Sequence, residues 1–375
     1  MLLPDAAPRG AAVFLHGLTD SPYSLRHIAR RYHALGWVAV AIRLPGHGTV
    51  PAGLTEVQWE DWREATRLAV REARRLAGDD VPLHLVGFSN GGALAMKYVL
   101  DALDEPALRR PEQVVLIAPM IGITSLARFA GIMGWPAVVP RFAKAAWLDV
   151  VPEFNPFKYN SFPVNGARQS SLVARTLQRQ IDAAARSGRL AELPPVLTFQ
   201  SVVDFTVSTR AIVNALYANL PANGSELVLF DINRQVQFGP LVRAGVETAI
   251  ARLLPEGPRT FRTTIVTNAS AERADVVEQV VEAGHTQATA RELGLAYPPD
   301  VYSLSHVALP FPLGDALYGL RPEPGEDFGV HLGTIAARGE RGVLLFSMDA
   351  MLRMASNPFF PYMLARIEQT LAPAR

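Results

Sequence analysis

Short apolar runs recur along the chain with amphipathic helical stretches between them, and this alternation confines the fold to a mostly parallel, doubly wound α/β sheet covered on both faces. The runs are Ala11–Leu15, Trp37–Ile42, Leu83–Gly87, Val114–Ala118, Val196–Gln200, Leu227–Phe230, Thr263–Val266 and Val301–Leu304. Between the second and third, Glu60–Ala77 sets Trp62, Ala65, Leu68, Ala69, Glu72 and Leu76 at steps of three and four, which predicts a scaffold helix. Apolar residues at 49% and charged ones at 19% suffice for a sizeable core and exclude a disordered chain.

The rhythm breaks once. About 75 residues separate Ala118 from Val196, far beyond an ordinary crossover. This stretch opens with Ile121, Phe129, Met133 and Trp135 and runs through Pro152-Glu153-Phe154 into a polar helix near Gln169–Ser187. An apolar, loop-rich insertion at the C-terminal edge of parallel strands reads as a lid, with those four apolar residues as substrate contacts. The alternative is a packing subdomain that touches no ligand. The expected division is 1–118 and 196–375 for the two parts of the core, with the lid over 119–195.

A formal charge of +1 gives no positive field to hold a nucleic acid. The absence of cysteine excludes a thiol nucleophile and thiolate metal sites, and no H-E-x-x-H or comparable ligand spacing occurs, so neither metal nor organic cofactor is expected. Val114–Pro140 is apolar but broken by proline and glycine, so no integral membrane segment is expected, while an apolar lid is compatible with contact at a lipid interface. Met1-Leu2-Leu3-Pro4-Asp5 lacks the pattern of a secretory signal, which makes a cytoplasmic location the default; a missing N-terminal segment would make it exported or anchored. The partner expected is a small-molecule ester substrate.

The chemistry concentrates in Leu83-His84-Leu85-Val86-Gly87-Phe88-Ser89-Asn90-Gly91-Gly92, a strand, G-x-S-x-G, then a helix. A serine on so sharp a turn takes strained angles, and Gly87 and Gly91 give the neighbouring strand and helix room to approach. The new helix supplies free N–H groups, so the Asn90 amide is a candidate oxyanion donor. Upstream, Val13-Phe14-Leu15-His16-Gly17-Leu18 ends a strand in a His-Gly turn that offers the Leu18 amide as a second donor. His16 reads as a structural histidine, Thr19 and Ser21 as helix caps, and His47 in Pro45-Gly46-His47-Gly48 as an organiser of its own loop.

With these motifs the chain resembles the α/β-hydrolase superfamily, in particular its bacterial carboxylesterase, monoacylglycerol lipase and lysophospholipase branch, also grouped with serine aminopeptidases. The resemblance runs from Ala11 to about Phe230 and includes Ser201-Val202-Val203-Asp204-Phe205-Thr206-Val207. It implies that the acid following the post-lid strand is Asp204, with Asp231 as competitor. The family's base follows one strand later, yet 231–238 holds no histidine, so an added strand-helix unit at about 262–293 is expected between acid and base. His306 follows the Val301–Leu304 run, where a sheet-edge loop should begin. His285 is expected on or beside a polar helix, and His331 in a structural loop.

The expected activity is hydrolysis of a small, mainly apolar carboxylic ester, monoacylglycerol or lysophospholipid included, by a Ser89-His306-Asp204 triad with Leu18 and Asn90 as oxyanion donors. One alternative is an aminopeptidase, with Glu153 or Glu192 to bind the amine. The other is a hydrolase-like binding protein without catalysis.

Overall fold

A computed structural model describes residues 1–122, 146–204, 206–236, 244–333 and 356–372. The chain divides into two compact units, Met1–Pro194 and Pro195–Arg375.

The first unit contains β1 (Gly10–Leu15), β2 (Trp37–Ala41), β3 (Leu83–Phe88) and β4 (Gln113–Ile117). They run parallel in the order β4-β3-β1-β2. Nearly every residue in them is buried, as the unbroken apolar runs require of strands covered on both faces. The connecting helices are α1 (Arg26–Ala34), α2 (Trp59–Ala77) and α3 (Asn90–Asp104). A Gln58–Asp61 capping box starts α2, whose buried face is Trp62, Ala65, Thr66, Ala69, Val70 and Ala73. Leu68, assigned to that face from its spacing, is instead 53% exposed, because Thr66 and Val70 turn the stripe away from it.

Helix α3 is buried along almost its whole length, Lys97 and Asp101 included. Lys97 pairs with Asp101, which also accepts from Arg67 Nη2 (3.3 Å) and Gln180 Nε2 (2.9 Å). These partners remove the penalty that unpaired buried charges would carry. In the insertion, β5 (Trp147–Asp149) pairs antiparallel with β6 (Phe162–Pro163), and α4 (Val164–Arg186) packs on α3. Ile121 is buried; the other proposed lid contacts, Phe129, Met133 and Trp135, lie outside the described residues.

The second unit holds β7 (Val196–Ser201), β8 (Glu226–Phe230), β9 (Arg262–Asn268), β10 (Asp275–Val281) and β11 (Thr289–Ala296), with helices α5 (Ala244–Ala251) and α6 (Phe360–Gln369). Strands β7, β8 and β9 are parallel, and β10 and β11 continue antiparallel in the order β11-β10-β9-β8-β7. The extra unit between Asp204 and His306 is therefore a three-stranded meander, which corrects the expected strand-helix unit at 262–293. Val276, Glu278 and Val280 are buried in alternation, a period of two masked by the polar Glu278. Glu278 is satisfied by Arg291 Nε (2.6 Å) and Tyr362 Oη (2.8 Å). A second correction concerns Val301–Leu304, which forms a buried loop instead of a strand, held by Asn233 N–H donating to Tyr302 O (2.8 Å) and Asn233 Nδ2 to Val301 O (2.9 Å).

Among the described residues no helix is long and apolar enough to cross a membrane, and no cluster of histidine and carboxylate side chains is suited to a metal ion.

Candidate active site

Ser89 closes β3 and caps α3 with φ 53° and ψ −117°, an angle pair that a non-glycine residue holds at a cost of about 1–3 kcal/mol. Tight packing enforces it. A Cβ on Gly91 would lie 1.9 Å from Leu15 O, one on Gly87 2.5 Å from Gly91 O, and one on Gly92 2.7 Å from Pro119 Cβ. These glycines let β1, β3 and α3 close on the serine from three sides. The turn is tied by Ser89 N–H to Ile117 O (3.0 Å) and by Met120 N–H to Ser89 O (2.9 Å), next to Ala118, which is also left-handed at φ 42°. As first residue of α3, Asn90 has an N–H with no carbonyl of the helix itself to receive it. Its side chain is turned to α4, where Oδ1 accepts from Ser170 Oγ (2.8 Å).

The turn after β1 runs alongside this serine: a Cβ on Gly17 would stand 3.3 Å from Ser89 Cβ. Two buried histidines fix the turn. His16 donates from Nδ1 to Gly17 O (2.8 Å) and accepts the Leu44 N–H at Nε2 (3.1 Å), which defines a neutral tautomer. Its pKa is pushed down to about 3, chiefly by burial and further by the neighbouring His47 charge. His47 turns Nε2 to Leu18 O and Nδ1 to Pro45 O (3.0 Å) and Leu44 O (3.2 Å); burial lowers its pKa against the pull of those carbonyls. Both rings thus serve the backbone, as read from the sequence. Ser21 caps the following turn by accepting from Tyr23 N–H (3.4 Å), and Thr19 O accepts from Tyr159 N–H (2.8 Å).

In the second unit, His306 Nδ1 lies 2.8 Å from Asp204 Oδ2, and both side chains are almost wholly buried. The other Asp204 oxygen accepts the amides of Thr206 (2.7 Å) and Val207 (2.9 Å). Burial raises the Asp204 pKa most, but the His306 charge, its hydrogen bond and the two amides together outweigh it and leave the carboxyl below its ordinary value. Gln200 Nε2 also donates to Asp204 Oδ2 (3.1 Å) and to Thr209 Oγ1 (3.0 Å). Nothing in the sequence distinguishes this strand glutamine from a packing residue.

The competing residues are occupied elsewhere. Asp231 is gripped by Arg234 (2.8 and 2.9 Å) and by Thr267 Oγ1 (2.8 Å). His285 is exposed in the turn joining β10 to β11, not on a helix as expected, because the meander replaces that helix. His331 Nε2 meets Gly319 O (2.8 Å). Glu153 accepts the amides of Asn160 and Ser161, and Glu192 pairs with Arg189 and Arg110.

Parallel strands layered with helices, the third of them ending in a serine elbow, are the arrangement of an α/β-hydrolase. Residues 6–231 match Hydrolase_4, the serine aminopeptidase S33 family, and the chain belongs to it and is a hydrolase. Solved structures with similarity include one described with the metagenome-derived lipolytic enzymes LipS and LipT, at 22% identity over 62% of this chain and 89% of that one, TM-score 0.46. A soluble variant of monoglyceride lipase from Saccharomyces cerevisiae is 12% identical over 62% and 81%, TM-score 0.48. The monoacylglycerol lipase of Paleococcus ferrophilus is 16% identical over 68% and 96%, TM-score 0.44. No curated protein matches the chain significantly.

Proposed function

We propose that the protein cleaves carboxylic esters through an acyl-enzyme on Ser89, with His306 as general base and Asp204 as its partner. The observation that carries this reading is the Ser89 elbow, where a strained serine is held at the start of a buried helix. In the proposed cycle His306 Nε2 takes the Ser89 hydroxyl proton as Oγ attacks the ester carbonyl. Asp204 holds the proton on His306 Nδ1, so Nε2 carries the lone pair. The amides of Leu18 and Asn90 receive the developing oxyanion. The leaving alcohol takes the proton from Nε2, and water then repeats the attack on the acyl-enzyme, returning Ser89.

Ester hydrolysis is favoured over peptide hydrolysis because the carboxylates suggested for an amine, Glu153 and Glu192, are already engaged by backbone amides and arginines. The apolar composition of 119–140 supports a substrate with an apolar part, each buried methylene contributing about 0.8 kcal/mol. The test is labelling by a fluorophosphonate probe, with turnover of p-nitrophenyl esters of graded chain length beside an aminoacyl amide. Labelling of wild type and not of Ser89→Ala, with esters turned over faster than the amide, is the expected result. Equal labelling of the two proteins would end the proposal, and a faster amide reaction would replace esterase by aminopeptidase.

A further inference from the structure

On the proposed mechanism the Ser89–Asn90 peptide group supplies the Asn90 N–H to the oxyanion. Its carbonyl end is held by Met120 N–H, which donates to Ser89 O (2.9 Å). The side chains of Asn90 and Met120 meet at one hydroxyl. Ser170 Oγ, buried on α4, lies 2.8 Å from Asn90 Oδ1 and 3.1 Å from Met120 Sδ. A thioether is a weak acceptor, so the single hydroxyl proton goes to the amide oxygen. The amide keeps this orientation although Asn90 is wholly buried and its Nδ2 has no partner among the described residues. An apolar side chain would fill the place without that cost.

The helix that carries Ser170 is tied down on both sides of it. Asn165 Nδ2 donates to Leu54 O (3.0 Å) and Val57 O (2.9 Å). Gln169 Oε1 accepts from Trp59 N–H (3.1 Å), and its Nε2 donates to Gln58 Oε1 (3.1 Å). Further along, Gln180 Nε2 reaches Asp101 on α3 (2.9 Å). Helix α4 is thus bound to the start of α2 and to α3 at once. We propose that Ser170 is a positioning residue, which fixes Asn90, and with it the oxyanion donor beside Ser89, against the anchored helix α4. Strain gives it this task. At φ 53° the Ser89 backbone holds its angles only where its surroundings over-determine them, and a peptide plane free to rotate would turn its N–H off the oxyanion. The inference rests on Ser89 as the nucleophile of an ester hydrolase and is independent of which acid and histidine serve it.

The experiment measures p-nitrophenyl ester hydrolysis and the binding of two inhibitors in wild type, Ser170→Ala, Asn90→Ala and the double variant. One inhibitor is an alkyl trifluoromethyl ketone, whose carbonyl carbon adds Ser89 Oγ and whose oxygen becomes the oxyanion. The other is the carbinol of the same skeleton, which cannot add the serine. Ser170→Ala should lower kcat and the ketone affinity alike by about 5- to 10-fold, the range of one neutral hydrogen bond, with KM and carbinol affinity within about twofold of wild type. Asn90→Ala should lose the same factor, and the double variant no more than either single one. Ser171→Ala is the packing control. Its hydroxyl, next on α4 and as deeply buried, has no partner among the described residues, so its removal should change kcat by less than about twofold. A kcat within about twofold of wild type in Ser170→Ala, or multiplying losses in the double variant, would overturn the proposal while leaving the esterase standing. Equal losses on ketone and carbinol would also overturn it and make Ser170 a packing residue. Should Ser170→Ala fail to fold, Ser170→Cys, of similar shape but a weaker donor, is read by the same ratio of ketone to carbinol affinity. If wild type neither takes the fluorophosphonate nor cleaves any ester, the hydrolase reading fails and the positioning role falls with it.

Discussion

Asp204 and His306, 102 residues apart in the chain, meet through a 2.8 Å contact between Oδ2 and Nδ1. The carboxylate holds a lowered pKa against its own burial because the imidazole and two backbone amides face it. Replacing Asp204 by Asn would leave an amide that can present N–H to Nδ1 and favour the wrong tautomer. On the proposed mechanism kcat should drop about 10⁴-fold with the thermal midpoint little changed. A kcat within tenfold of wild type would remove Asp204 from the reaction.

Asp231 provides the matching control. Its carboxylate serves Arg234 and Thr267, so Asp231→Asn should weaken folding by about 2 kcal/mol, seen in urea denaturation, and change kcat/KM by no more than about threefold. A large kinetic loss at unchanged stability would transfer the role of acid to Asp231.

Strain at Ser89 sets stability against activity. Ser89→Gly places a residue tolerant of positive φ at φ 53° and should raise stability by about 1 kcal/mol while abolishing turnover. Ser89→Ala should lose activity by about 10⁴-fold or more without that gain. Differential scanning calorimetry and ester assays on the two variants separate the effects.

Gly91→Ala tests the packing that creates the strain. Its Cβ would sit 1.9 Å from the Leu15 carbonyl, where backbone must move on both sides. The expected loss is about 3 kcal/mol or more, read as a fall of roughly 10 °C in the thermal midpoint. A midpoint within a few degrees of wild type would show that β1 and α3 do not approach as described.

Acid should destabilise the protein before its carboxylates titrate. His16 and His84 are held neutral with pKa values pushed to about 3 by burial, His47 adding to the effect at His16. Below the ordinary value of 6.5 the unfolded chain takes up protons that the folded one refuses, so stability declines from pH 6.5 down to about 3 and levels off for these groups below that. Each contributes on the order of 5 kcal/mol across the whole window. Asp204 acts in the same direction at lower pH, its stabilisation vanishing as pH falls through its depressed value. Urea titrations at stepped pH should show this slope, and His84→Leu, despite losing the Tyr32 hydrogen bond, should flatten it.

Much of this molecule is written locally. The runs that became β1 to β4, β7 and β8, and the glycines around Ser89, are legible because strand burial and turn angles depend on residues a few positions apart. The run Thr263–Val266 likewise became β9, but β10 and β11 of the meander were not legible in that way, since a buried Glu278 in β10 is polar by sequence and becomes a core residue only when Arg291 and Tyr362 arrive from β11 and α6. The same holds for choosing among histidines. The reading that favours His306 rests on Val301–Leu304 as a strand, which the structure makes a loop, and no local pattern at His285, His306 or His331 tells an exposed turn from a carbonyl contact or a carboxylate partner. Sequence determined the strained serine and the layered sheet, whose causes are steric and short in range. Tertiary structure decided which histidine meets Asp204 and that Gln200 supports it, because a hydrogen bond is specified by where distant segments come to rest.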